Sequence, residues 1–169
     1  AVKKKPEEYE IARILHKMYK NKFICTDPKS NQWYMYNSPE HRWNKLDSPM
    51  LLRAKISPKD GLHGHFNNYM TYCSQQSEES GDDWHMKMEM TLNLMSKLRT
   101  TAFKQNIMKE SQEFFYDKSR DFIEKLDSFT HLIGFNNGVY DLERQEFRAG
   151  QPSDYITLST KIDYIKFDT

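Results

Sequence analysis

With 169 residues, 25 Lys and Arg against 24 Asp and Glu and a formal charge of +1, the chain is long enough for one domain with a real core, and bulk charge gives it no reason to bind nucleic acid. Ten Tyr, ten Phe, nine Met and three Trp supply bulky core material. Cys25 and Cys73 have no paired spacing and no apolar run reaches membrane-spanning length, so a disulfide framework and a membrane protein are excluded, and the expected setting is soluble, intracellular and reducing.

The basic start, Lys3 to Lys5, lacks the apolar stretch of a secretory signal. Pro6 followed by Glu7 and Glu8 suits a first helical turn, and the stripe Ile11, Leu15, Met18, Tyr19 predicts a helix over about 7–21. Phe23-Ile24-Cys25 reads as a strand, residues 27–31 as a turn and Trp33 to Tyr36 as the antiparallel partner. Alternation puts Trp33 and Met35 on one face, Tyr34 and Tyr36 on the other. Asn37-Ser38-Pro39 then turns the chain toward His41, Arg42 and Trp43. Two readings stand open here. Tyr34, Tyr36 and Trp43 with Arg42 could form a base-stacking, phosphate-contacting surface, or the rings cover a core while Arg42 faces water.

Ser48-Pro49 and the apolar Met50, Leu51, Leu52 and Ile56 predict a short helix ending near Ser57-Pro58. Arg42, Lys45, Arg53, Lys55 and Lys59 form a local basic excess with Asp47 as the only acid among them: a phosphate-facing patch, or an ordinary solvated surface. His63, His65, Cys73 and His85 lack the spacing that a zinc site requires. Phe66, Tyr69, Met70, Tyr72 and Cys73 describe a helix with an aromatic side, and the polar, acidic stretch 74–83 predicts a mobile loop. Trp84, Met88, Leu92, Met95 and Leu98, with Thr91 on the same side, predict a core helix. After a break at 99–101, Phe103, Ile107, Phe114 and Phe115 support a long helix and Phe122, Ile123 and Leu126 a shorter one. Lys97, Arg99, Lys104 and Lys109 make a second basic candidate, which Glu110, Glu113 and Asp117 quickly offset; these acids, with Asp121, mix helical and turn positions and do not assemble a two-metal centre.

The stretch His131 to Tyr155 carries the densest turn chemistry. Asn137-Gly138 offers a positive-φ turn between Leu132-Ile133-Gly134-Phe135 and Val139-Tyr140, Phe147 resumes the apolar pattern, and Gly150 to Asp154 closes the segment. This reads as a small β-rich substructure with inward aromatics. The other reading, an active-site loop on Asn136, Asn137 and Asp141, lacks a base, a metal or a second acid. The fold class is α+β: mainly a helical bundle of about five helices with small antiparallel β elements near both ends, in one domain over 1–169.

HLIGFNNGVYDLE followed by FRAGQPSDYITLST resembles the segment just ahead of the ATPase in the poxvirus-type and giant-virus primase-helicases, which carry a superfamily 3 motor. The likeness extends through WYMYNSPEHRW (33–43), LLRAKIS (51–57) and FKQNIMKESQEFFYDKSRDFIEKLDS (103–128). It implies a viral DNA-replication protein in which this region is one piece of a longer chain, adjoining a hexameric helicase that uses ATP and Mg beyond Thr169. It implies as partners that motor domain, other subunits of a homohexamer and single-stranded or forked DNA, and as setting the host cytoplasm or a viral replication factory. No Gly-x-x-x-x-Gly-Lys-Ser/Thr loop and no primase acid motif lies in these residues, so the expectation is a noncatalytic accessory domain without catalytic, cofactor or metal residues of its own. The alternatives are an independent single-stranded nucleic-acid binder and a purely structural interaction domain. The residues expected at a DNA surface are Tyr34, Tyr36, Arg42, Trp43, Lys45, Arg53 and Lys55.

Overall fold

The computed structural model describes residues 7–80 and 82–166. Length leads to an expectation of one unit, whereas the chain divides into two compact units, each built from two separate segments: Ala1–Met18 with Pro49–Phe114, and Tyr19–Ser48 with Phe115–Thr169.

The first unit is helical: α1 (Glu8–Tyr19), α2 (Met50–Arg53), α3 (Leu62–Ser80), α4 (Asp82–Lys97) and α5 (Thr101–Phe115), of which Tyr19 and Phe115 fall in the second unit. Glu8 and Glu10 lie in the first turn of α1, His16 and Lys17 in its last, matching the helix dipole. Ile11, Ala12 and Leu15 are its buried stripe. The expected loop at 74–83 is corrected: α3 runs through Ser80 and α4 starts at Asp82, with Gly81 outside the described residues. Gln and Glu are good helix formers, and the apolar period that would have marked a helix is missing from this polar stretch.

The core face of α4 is also corrected. Thr91, Leu94, Met95 and Leu98 are buried, but Leu92 is 53% exposed. At 100° per residue Leu92 points a quarter-turn and more away from the line through Thr91 and Leu98, and Leu94 takes its place.

The second unit holds two three-stranded antiparallel meanders. β1 (Phe23–Asp27), β2 (Gln32–Asn37) and β3 (Arg42–Leu46) form one in the order β1-β2-β3. β4 (Leu132–Phe135), β5 (Gly138–Asp141) and β6 (Glu146–Arg148) form the other, with the five-residue α6 (Asp121–Lys125) ahead of them and a 3-10 turn at Pro152–Asp154 behind. The α+β class with small sheets toward both chain ends is as expected.

Register explains the first sheet. Ile24 pairs with Tyr34, Tyr34 with Lys45 and Tyr36 with Trp43, so these five side chains share one face. Trp33, paired with Cys25 and Leu46, occupies the opposite face and meets Phe115 at a ring separation of 5.6 Å. The predicted alternation holds. On the first face Tyr36, Trp43 and Phe122 form a buried cluster covered by Ile24, Tyr34, Ile123, Leu126 and Tyr155. Trp43 meets Phe122 edge-on at 4.9 Å and Tyr36 at 5.5 Å, the tilted geometry aromatic quadrupoles favour.

The β4–β5 hairpin exists, but not by the turn chemistry expected. Its loop residues are Asn136 and Asn137, since Phe135 pairs with Gly138. Neither asparagine has positive φ. Gly138 is needed for space: a Cβ there would lie 2.5 Å from Phe147 Cζ and 2.6 Å from the Arg148 carbonyl oxygen. Asn137 has a different task. Its Oδ1 accepts from Tyr164 N at 2.8 Å and its Nδ2 donates to Tyr164 O at 3.0 Å, so the side chain stands in for a strand neighbour. Thr160 N donates to Gly134 O and Asn136 N to Ile162 O, so residues 160–164 run beside β4 in its own direction and cover its edge.

Candidate functional site

The second unit carries an open cleft of about 590 Å³, a volume within the range of small-molecule sites. Its lining comes from four distant stretches: Lys20, Asn21 and Ile24 at the start of the first sheet, Trp43 on β3, Asp117 to Lys125 around α6, and Gln151 to Tyr155.

Two devices fix the last of these walls. Trp43 Nε1 donates to the Pro152 carbonyl at 2.8 Å, across 109 residues of sequence. Asp154, whose side chain is 8% exposed, takes both arms of the Arg148 fork at 2.8 and 2.9 Å and the Gln151 N–H at 2.7 Å. The Asp154 hydrogen bonds push the Arg148 guanidinium above its ordinary pKa. Tyr155 follows at φ 51°, a left-handed conformation uncommon for a bulky residue, held by backbone and ring contacts. The opposite wall is shaped by Asp117, which accepts from Ser119 Oγ and from Phe122 N, each at 2.8 Å. Lys125 stands 5.7 Å from the Tyr155 ring centre, and Lys20 and Asp121 are exposed at the rim.

The residues expected from sequence are distributed differently. Tyr36 and Trp43 are each 5% exposed and clustered with Phe122, so the stacking plane expected at Trp43 is corrected: its ring is buried in that cluster. Burial lifts the Tyr36 phenol to about 12, with Asp154 adding to the rise, and its hydroxyl has no hydrogen-bond partner among the described residues. Tyr34 is half-buried and its phenol is raised, by burial first and by Asp127 second. Arg42 and Lys45 point to opposite faces of β3, because an odd step along a strand changes face. Arg42 pairs with Glu40 at 3.0 Å; Lys45 is exposed beside Tyr34. Arg53 and Lys55 belong to the first unit, where Lys55 pairs with Asp60 at 3.3 Å.

Asn136, Asn137 and Asp141 serve the backbone. Asp141 is buried and accepts the N–H groups of Arg144 and Glu143 at 3.1 and 3.0 Å, which hold its carboxyl below the ordinary range. Lys20, Lys125, Ser119 and Gln151 went unnoticed in the sequence because no local pattern marks residues that meet only through the fold. Among the described residues no group of three or more His, Cys, Asp or Glu is placed to hold a metal, and no helix is long and apolar enough to cross a membrane. The cleft brings together two lysines, two aspartates, hydroxyls, amides and apolar surface.

The fold and cleft define a small α+β module with a helical unit and a twin-meander unit. The chain belongs to the family described as D5 N terminal like, which matches residues 12–169. It is 32% identical, over 95% of its length, to a protein of Acanthamoeba polyphaga mimivirus that bears a helicase name, and 23% identical over 93% to one of Frog virus 3 that also bears a helicase name. Over 81% of its length it is 27% identical to an African swine fever virus protein that bears a primase name. The chain spans only 16%, 19% and 15% of these relatives. The resemblance read from the sequence therefore holds: this is a domain shared by helicase-named and primase-named proteins of large DNA viruses.

Proposed function

We propose that the chain is a noncatalytic accessory module of a viral DNA-replication primase-helicase, which organises or couples an adjoining superfamily 3 motor on single-stranded or forked DNA. The observation that carries this reading is the match itself: nearly the whole chain aligns, yet it accounts for less than a fifth of each helicase-named or primase-named relative. In this reading ATP and Mg are handled by the motor, whose subunits form the homohexamer. DNA contact by the module draws on surface cations, the exposed Lys45 beside Tyr34 in the second unit and, separately, the half-buried Arg53 in the first.

The test compares the motor domain of the parent protein with and without this module in cis. Mass photometry reads hexamer formation, and phosphate release from ATP reads turnover with and without single-stranded DNA. The module is expected to shift assembly to lower protein concentration or to strengthen stimulation by DNA, while the 169-residue chain alone releases no phosphate. Identical assembly and identical DNA response for the two forms would remove the accessory role.

A further inference from the structure

The cleft of the second unit has properties that its packing does not require. Its Gln151–Tyr155 wall is held by a buried carboxylate, a guanidinium fork, a tryptophan N–H and a left-handed tyrosine, a costly set of polar and strained elements for an ordinary surface turn. A wall fixed this firmly is preorganised, and preorganisation lowers the ordering cost of holding a ligand. Across the opening, Lys20 and Lys125 carry ammonium groups that form no ion pair among the described residues. Two carboxylates share the lining: Asp117, whose two oxygens accept from Ser119 Oγ and Phe122 N, and the exposed Asp121. The lining also holds the half-buried Tyr155, Pro152 and Ile24 as apolar surface, and Asn21, Ser119 and Ser153 as hydrogen-bonding residues.

We propose that this cleft holds one nucleotide unit of a single-stranded nucleic acid, its phosphate drawn by Lys20 and Lys125 and its base lodged against Tyr155, Pro152 and Ile24. Two cations flanking an apolar, amide-lined hollow are the combination that single-strand sites use, charge for the backbone and flat apolar surface for bases of any identity. The volume admits one nucleotide and its neighbours leave through the open mouth. The choice of a strand as ligand rests on reading the chain as a module of a DNA-replication protein; the place in the fold does not.

The test uses the 169-residue chain and fluorescein-labelled oligo-dT, with anisotropy read across a salt series starting at about 50 mM. Lys20→Glu/Lys125→Glu is expected to weaken binding at least tenfold and to flatten the dependence of log affinity on log salt by about 1.4, two contacts at roughly 0.7 each for single strands. Lys29→Glu/Lys161→Glu, the same charge change on exposed residues of the same unit outside the cleft, is expected to leave both nearly unchanged. Thermal melting by circular dichroism establishes that both variants are folded, and Lys20→Gln/Lys125→Gln gives the milder version of the first effect. Equal losses for the two charge-reversed pairs, or no binding by the unaltered chain at the lowest salt, would overturn the proposal. So would thymidine monophosphate binding as tightly as the oligomer, which would make a free nucleotide the ligand. None of these results bears on hexamer formation by the motor, so the accessory reading stands or falls separately.

Discussion

Arg148 and Asp154 form the buried ion pair on which the cleft wall depends, and replacing Arg148 by Met tests how much. Asp154 would keep only the Gln151 N–H at 2.7 Å and lose two charge-assisted hydrogen bonds of 2.8 and 2.9 Å, in surroundings where its side chain is 8% exposed. Each such bond contributes about 1.5–3 kcal/mol, and Arg148 is itself a quarter exposed, so the lower end applies and the loss should be about 3 kcal/mol. The double change Arg148→Met/Asp154→Leu removes the stranded carboxylate together with its partner and should cost less than the single one, by about 1 kcal/mol or more. Urea unfolding followed by tryptophan fluorescence is the assay. In a Trp84→Phe background the signal comes from Trp33 and Trp43, both in the second unit. A loss below about 1 kcal/mol for Arg148→Met, or a double change at least as costly as the single one, would refute the view that a desolvated fork fixes this wall.

Leu98→Ala, at a fully buried position, should destabilise the first unit by about 2–5 kcal/mol, whereas Leu92→Ala should cost under about 0.5 kcal/mol; comparable losses in equilibrium unfolding would put the α4 core face elsewhere. Gly138→Ala should cost about 1–3 kcal/mol because the new methyl group meets the Phe147 ring and the Arg148 carbonyl, and a neutral result in the same assay would show that the β5–β6 contact yields freely. Tyr36→Phe should change stability at neutral pH by less than about 1 kcal/mol, since the hydroxyl it removes has no partner among the described residues. Because burial raises the Tyr36 phenol from 10 to about 12, its contribution is complete below pH 10 and is lost as pH rises through 12; the Phe variant should show a shallower fall in stability over that window, and parallel curves would contradict the assignment.

Much of this protein was legible where the signal is local. Glu8, Ile11 and Leu15 announce α1, the alternation of Trp33 to Tyr36 fixes which rings share a face, and the two apolar pieces around Asn136-Asn137 predict the hairpin. Such patterns repeat within one turn of helix or one pleat, so a few neighbouring residues carry them. Family membership was legible too, because it rests on the order of motifs along the chain.

Tertiary structure decided the rest. β3 is a strand because β2 lies beside it, although Arg42, Asn44 and Lys45 give it no strand-like composition. Leu92 is exposed because Leu94 occupies the inward position, and Trp43 is buried because Phe122 and Pro152, some 80 and 109 residues later, close over it. The cleft brings Lys20 to Lys125 and Gln151 across more than 100 residues, and the Arg148–Asp154 fork behind it is invisible without the turn that folds one residue onto the other. Local sequence sets which face of an element is apolar; which groups meet across that face depends on the loops and long-range hydrogen bonds that close it, and these have no period to read.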